Sequence, residues 1–364
     1  MGSIDARIVK RLPAVKDTPA FELDVHIRAQ EGIYVLLGAS GAGKTLLLNC
    51  LGGFIRPDEG RILVHDRLYF DAATQVHLRP ELRRCGYIFQ DHALFPHMTI
   101  RENLRFAASL PSSRGSSLNV RRRVNDLLDT FDLNNLGERK PAQLSGGQKQ
   151  RAALARILIT NPGILLLDEP SRGLDAHLRD AFYKLLRSVR ERIQGPILLV
   201  SHSIEECLEL ASSVAVLHAG KLAQEGPRET VLAKPATMEI ARLLGIYNIA
   251  PAAITFLDPS ANLSRVRVLG QEIEGPYFPG HLLGDSGYVC LRRSEWKLAG
   301  VNDPPSPNQL TLDVEDRLPS AHGVRLLLES DLFVDLSETE ARSLDDTNRL
   351  TFTMPRSSVS FTGK

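Results

Sequence analysis

The stretch GIYVLLGASGAGKT, residues 32–45, decides the fold. Ile33 to Leu37 form an apolar run of strand length. The run ends in Gly38-Ala39-Ser40-Gly41-Ala42-Gly43-Lys44-Thr45, which fits G-x-x-x-x-G-K-[ST]. The following TLLLNCLGG has helical length and a Gly-Gly stop. Strand, glycine loop and helix in that order are the context a phosphate-binding loop requires. Glycines let backbone N–H groups wrap phosphate oxygens with no Cβ in the way. The partial positive charge at the helix N-terminus adds to the attraction. Lys44 would neutralise β/γ-phosphates and the Thr45 hydroxyl would ligate Mg²⁺.

Three more apolar runs lie further along: Ile164–Leu167 before Asp168-Glu169-Pro170, Ile197–Val200 before Ser201-His202, and Val214–Leu217. Four strand candidates separated by helical patterns predict a largely parallel sheet in an α/β fold. Between the first two runs, RENLRFAASL and VRRRVNDLLDTF have helical spacing, with polar loops such as PSSRGSS between them. Residues 91–160 are therefore expected to form a helical insertion. From about Tyr247 apolar stretches shorten (VRVLG, YVCL, VRLLLE, LFVDL, RLTFT), and Pro and Gly become frequent. That texture predicts a small all-β domain, with two similar β units conceivable within it.

Composition bounds the function. The chain has 364 residues, 43% hydrophobic and 24% charged, a prior of two or three globular domains. Lys plus Arg is 44 and Asp plus Glu is 43, a net charge of +1, without the basic excess of a broad nucleic-acid surface. Cys50, Cys85, Cys207 and Cys290 are far apart and form no CxxC pair, which argues against a disulfide framework or a zinc site. No apolar run reaches the roughly 18 residues of a membrane span, and MGSIDARIVKRLPAVKD lacks a signal core. Work at a membrane would need another chain as host.

Two more motifs carry chemistry. Asp168 and Glu169 close ILLLDEP. A carboxylate at the C-terminal end of a buried strand lies near the phosphate loop in such sheets. Asp168 suits Mg²⁺ coordination, and Glu169 is free to orient and deprotonate an attacking water. In Leu144-Ser145-Gly146-Gly147-Gln148-Lys149-Gln150-Arg151, Ser145 is a good N-cap for the helical RAALARILI after it. Its hydroxyl and the open Gly-Gly amides make a second anion site.

LSGGQ matches the hallmark of ATP-binding-cassette (ABC) proteins letter for letter. Over residues 1–245 the chain resembles the ATPase subunits of ABC transporters, in family order: phosphate loop, Gln90 in YIFQDHALFP, LSGGQ, ILLLDEP, His202. The resemblance implies a P-loop NTPase cassette with a helical subdomain at about 91–160. Residues 246–364 would form a small all-β, OB-like (TOBE-type) regulatory domain. It also implies ATP and Mg²⁺ as cofactors, Gln90 contacting Mg²⁺ or the lytic water, His202 as switch histidine near the γ-phosphate, and Asp175 in SRGLD as D-loop aspartate. RRCGYIFQDHALFPHMTIRENLRF, SHSIEECLELASSVAVLHAGKLAQEG and LRRSEWKLAG resemble molybdate-importer ATPase subunits in particular. Three places depart from the family: Arg172 replaces a small polar D-loop residue, which puts a charge near the expected dimer seam; Ser203 follows His202 where Asp is commoner; and RIVKRLPAVKD offers no adenine-stacking aromatic. PPSPNQL stands where the oxyanion motif of the β domain is looked for.

The implied mechanism is a head-to-tail dimer. Each ATP lies between Lys44 of one copy and Ser145 and Gly147 of the other, and hydrolysis lets the halves part. The implied partners are polytopic permease subunits docked near Gln90 and LFPHMT and, indirectly, a periplasmic solute-binding protein, with no nucleic acid. The place is the cytoplasmic face of a bacterial inner membrane, peripherally. Molybdate or a related oxyanion is the first solute reading; sulfate, ferric iron, sugar or polyamine is the second. A soluble ABC ATPase acting on ribosomes or DNA is the third, disfavoured by one cassette, near-neutral charge and no Cys pair. A non-ABC P-loop kinase leaves LSGGQ unexplained.

Overall fold

Alternating and unbroken apolar stretches sort the N-terminal strands into two kinds. The computed structural model describes residues 3–16, 19–89, 93–109, 117–193, 195–299, 308–320, 323–342, 344 and 348–363. In chain order the first unit runs β1 Ile4–Leu12, β2 Phe21–Ala29, β3 Gly32–Gly38, α1 Lys44–Gly52, β4 Glu59–Val64, β5 Arg67–Asp71, β6 Val76–His77 and β7 Cys85–Ile88. It continues with α2 Ile100–Ala108, α3 Ser117–Thr130, α4 Gly146–Leu158, β8 Ile164–Asp168, α5 Ala176–Arg190, β9 Pro196–Val200, α6 Ile204–Leu210, β10 Ser213–His218 and β11 Lys221–Pro227. The strands form one sheet of order β6-β5-β4-β1-β2-β11-β10-β3-β9-β8-β7.

The expected parallel strands are there: β10, β3, β9, β8 and β7 pair in parallel. Strands β3, β8 and β9 are buried at every position, as strands covered on both faces must be. The sheet as a whole is mixed, not largely parallel. β1 pairs antiparallel with β2 and β4, β4 with β5, β5 with β6, and β10 with β11. The reason is period two. IDARIVKRL and FELDVHIRA alternate buried and exposed residues, a strand signal weaker to the eye than an unbroken run.

Helix α1 buries Leu47, Leu48 and Leu51 completely, in one core with Tyr34, Leu36, Leu166, Leu198, Ile8 and Val25. Each such side chain contributes about 1.5–3 kcal/mol by leaving water, so the phosphate loop is anchored from behind. The insertion is helical as expected: α2 packs on α3 and α4. Thr99 starts α2 with a capping box, its hydroxyl accepting from the Glu102 amide and its amide donating to the Glu102 carboxylate. Asn103, fully buried, ties down the chain before it through bonds with Phe95, Met98 and Thr99.

The chain divides into two compact units, residues 1–228 and 229–364. This division lies earlier than the 245/246 boundary read from sequence, because α7 Arg228–Ala233 and α8 Met238–Leu244 associate with the C-terminal strands. Helix α8 packs on β12 Tyr247–Asp258, and the Tyr247 hydroxyl donates to the Leu232 carbonyl. The remaining elements are β13 Leu263–Val268, β14 Gln271–Gly275, β15 Ser286–Arg292, β16 Lys297–Leu298, β17 Gln309–Ser320, β18 Gly323–Leu328, β19 Leu332–Ser337, α9 Glu338–Arg342, β20 Arg349–Thr353 and β21 Val359–Gly363. They make two five-stranded antiparallel sheets, β14-β13-β12-β15-β21 and β16-β20-β17-β18-β19. Ala250, Val266, Val289, Leu310, Leu326 and Phe352 lie in the core they share. The C-terminal segment is thus a small all-β domain. Most of PPSPNQL, residues 304–310, lies outside the described residues.

Candidate active site

The register of the parallel strands gathers the chemistry. Leu36 of β3, Val200 of β9 and Asp168 of β8 lie abreast. The three segments that leave these strands therefore emerge at one edge: the loop from Gly38, the turn from Glu169, and Ser201-His202. Strand β9 separates β3 from β8, so the acidic pair reaches the glycine loop across one intervening strand.

Gly43 caps α1 with φ +101°, and a Cβ there would lie 3.0 Å from both Leu23 Cδ1 and Phe21 Cζ. Only glycine meets both demands. Lys44, nearly buried, donates from Nζ to the carbonyls of Gly38 at 2.7 Å and Ala39 at 3.0 Å. Burial holds its ammonium below the ordinary lysine value, opposed by the Glu169 and Asp168 carboxylates. Thr45 Oγ1 donates to Asp168 Oδ1 at 3.2 Å. Burial pushes the Asp168 carboxyl up, the Thr45 hydroxyl opposes this, Glu169 adds to it, and Lys44 opposes it. A neutral hydroxyl beside a carboxylate is the donor set of a hard divalent cation, so these residues fit Mg²⁺.

Glu169 sits at φ +46°, an uncommon conformation for a non-glycine residue, at the end of β8. Its amide donates to the Val200 carbonyl at 3.2 Å. Its side chain is 18% exposed, with Oε1 3.4 Å from His202 Nδ1 and Oε2 3.3 Å from Arg172 Nη1. Glu169, His202 and Arg172 line a cavity of about 140 Å³ floored by the buried Glu206. The Glu169 carboxylate lies within electrostatic reach of Lys44 and of Asp168.

Ser145 is the N-cap of α4, as its sequence predicts. Its hydroxyl accepts from the Gln148 amide at 3.4 Å, and its amide donates to Gln148 Oε1 at 3.0 Å. Ser145 and Gln148 are thus spent on each other, and among the described residues no hydrogen bond joins them to the phosphate loop of the same chain. No bonded neighbour occupies the space above Gly146, where a Cβ would meet nothing within 4 Å. Asp175 caps α5, accepting from the Leu178 amide at 2.9 Å. Gln90 lies outside the described residues.

Sequence reading missed two supports. Gln150 of α4 is buried and donates to the Pro170 carbonyl, tying the LSGGQ helix to the turn after Glu169. Glu206 gave no signal in EECLEL beyond being one of two adjacent acids. Arg172 was visible as a departure, but its partner Glu169 was not.

A sequence model of the ABC transporter family matches residues 22–172. The molybdenum import ATP-binding protein of Rhodospirillum rubrum is 39% identical over 265 residues, 70% of each chain. The spermidine/putrescine import ATP-binding protein of Oleidesulfovibrio alaskensis is 34% identical over 322 residues, 86% of this chain and 82% of its own. The sulfate/thiosulfate import ATP-binding protein of Synechococcus elongatus is 39% identical over 229 residues, 63% of this chain and 64% of its own. Among solved structures, a dimeric ATP-binding cassette in a post-hydrolysis state with ADP and Pi aligns at TM-score 0.52 and 26% identity, covering 62% of this chain and 98% of that one. With the glycine loop, the acidic pair and the histidine converging on one edge of the sheet, the chain belongs to the ABC transporter family and is the ATP-hydrolysing subunit of an importer.

Proposed function

We propose that two copies of this chain close head to tail on ATP and drive uptake of molybdate or a related oxyanion through permease subunits. The observation that carries the catalytic part is Glu169 at the mouth of β8, beside Thr45, Asp168 and His202. Gly38 to Thr45 cradle the phosphates; Lys44 neutralises them. Thr45, Asp168 and Gln90 would hold Mg²⁺, which would neutralise charge on the phosphate oxygens. Glu169 takes the proton of the attacking water, and His202 steadies that carboxylate from its Oε1 side. Ser145, Gly146, Gly147 and Gln148 form an anion-binding helix start that serves the nucleotide of the second copy, and Asp175 fixes the helix after the D-loop. The open space above Gly146 supports this arrangement.

The permease docks beside Gln90. An aromatic cluster supports this: Phe54 is 51% exposed, its ring 5.4 Å from Tyr87 and from Phe89, and the Tyr87 and Phe89 rings stack at 4.2 Å. Phe54 and Phe89 are exposed and rest on the buried Tyr87, and exposed aromatics grouped in this way are typical of protein contacts. The chain then works peripherally at the cytoplasmic face of the membrane, fed by a periplasmic binding protein. The relatives in molybdenum import support the oxyanion. The relatives in polyamine import, one matching 86% of this chain, carry the second reading.

The test of the catalytic role is Glu169→Gln. ATP binding stays, hydrolysis falls at least ~100-fold, and dimers accumulate with ATP. Wild-type turnover in this variant removes Glu169 from the base role. For the solute, reconstitute the chain with its permease and compare stimulation of ATPase by binding protein loaded with molybdate or with spermidine. Stimulation by spermidine alone overturns the oxyanion.

A further inference from the structure

The main chain around Glu169 is fixed from several sides. The Glu169 amide donates to Val200, the Pro170 carbonyl accepts from buried Gln150, and the Arg172 amide donates back to the Glu169 carbonyl at 3.2 Å. The carboxylate itself sits at the end of further rotatable bonds. Two of its contacts lie one on each oxygen: His202 Nδ1 is 3.4 Å from Oε1 and Arg172 Nη1 is 3.3 Å from Oε2. They differ in kind. A histidine is cationic only when protonated, whereas an arginine guanidinium is charged at every working pH and presents its donors in a rigid fork. Arg172 is thus the permanent cation of the two.

We propose that Arg172 is a positioning residue for the Glu169 carboxylate, holding Oε2 so that Oε1 stays turned toward His202. The inference rests on Glu169 being the base. Arg172 reaches the carboxylate from three residues along the same turn, with Gly173 at φ +77° letting the chain turn away immediately afterwards. Its side chain is 64% exposed. An exposed ion pair of this sort contributes little to stability, so its consequence falls on orientation and not on folding. The other charged groups near Glu169 are Lys44 and Asp168 behind it, and Arg179 and Glu206 on the cavity wall. Orientation of the base is thus taken over in part by the chain's own D-loop.

The experiment compares ATPase kinetics of the purified full chain and its Arg172→Ser, Arg172→Gln, Arg172→Lys and Glu169→Gln variants, with ATP affinity as the check on folding. A loosened base loses turnover and not substrate affinity. The neutral variants are expected to lower kcat about fivefold to tenfold with KM within about twofold, and Arg172→Lys to recover most of the loss. Adding Arg172→Gln to Glu169→Gln is expected to change nothing further. Wild-type kcat in Arg172→Gln, a raised KM at unchanged kcat, or Arg172→Lys as impaired as Arg172→Ser overturns the positioning role while leaving Glu169 as base. Full turnover by Glu169→Gln overturns both readings together.

Discussion

Arg83 has no solvent exposure, yet it is a cation. Its Nη1 donates to the carbonyls of Cys50 and Leu51 at 2.8 Å, its Nε donates to Leu78 at 2.9 Å, and the guanidinium lies 5.5 Å from the Tyr69 ring centroid. Burial lowers its pKa. The Cys50 and Leu51 carbonyls belong to the last turn of α1, whose N-terminus is the phosphate loop. A cation there satisfies orphan acceptors and opposes the negative end of the helix dipole. Replacing it by Leu strands the buried carbonyls of Cys50 and Leu51 and the partly buried one of Leu78, at about 1–3 kcal/mol each. Arg83→Leu should lower unfolding free energy by about 3 kcal/mol or more on that basis, read as a drop in the urea midpoint. A midpoint equal to the wild type would mean that water replaces the guanidinium. The sequence ELRRCGY contains the residue but does not tell Arg83 from Arg84, which is exposed.

At the scale of elements, helix starts explain much of the site. Ser145, Asp175 and Thr99 each place an oxygen on an orphan amide of α4, α5 and α2. All three were readable as cap residues before helical runs, although only Ser145 was singled out. Ser145→Ala should cost about 1 kcal/mol of local helix stability, seen as faster hydrogen exchange in the first turn of α4. Ser145→Arg should keep ATP binding by a single copy and abolish both hydrolysis and dimer formation, because the long side chain fills the anion site. ATP-driven dimers of that variant would contradict the shared active centre. The strands divide differently. β3, β8 and β9 were legible because burial on both faces leaves an unbroken apolar run. β1, β2, β4 and β5 were not, because half of their residues face water and their apolar positions are interleaved with charges such as Arg7, Asp24 and Arg61.

Across the whole molecule, Cys50, Cys207 and Cys290 are free and buried, and Cys85 is free and half-buried. Burial pushes the Cys50 and Cys290 thiols and the Tyr247 phenol up to about 12. The folded state then keeps protons that the unfolded chain releases from about pH 8.5 upward for a thiol. The unfolded state binds fewer protons in that window, so stability falls as pH rises from the thiol's ordinary range to about 12. The urea midpoint should drop steadily between about pH 8 and 10.5, and a thiol reagent should find at most Cys85 in the native protein at neutral pH. A flat midpoint over that range would show that these groups are hydrated in the folded state.

Sequence alone determined the local chemistry: the glycine loop, the acidic pair closing ILLLDEP, the capped LSGGQ helix, the turn to an all-β tail, and through them the family. Those signals are short-range, since a strand, a tight turn and a helix start are each written within a dozen neighbouring residues. Tertiary structure decided what meets what. It inserted β9 between β3 and β8, set Leu36, Val200 and Asp168 abreast, brought Thr45 to Asp168 across 123 positions of chain, and chose Arg83 over Arg84 for burial. It also gave Arg172 a carboxylate to hold. Strand order and side-chain partners depend on how whole faces pack, a long-range balance of burial and charge that no local pattern records.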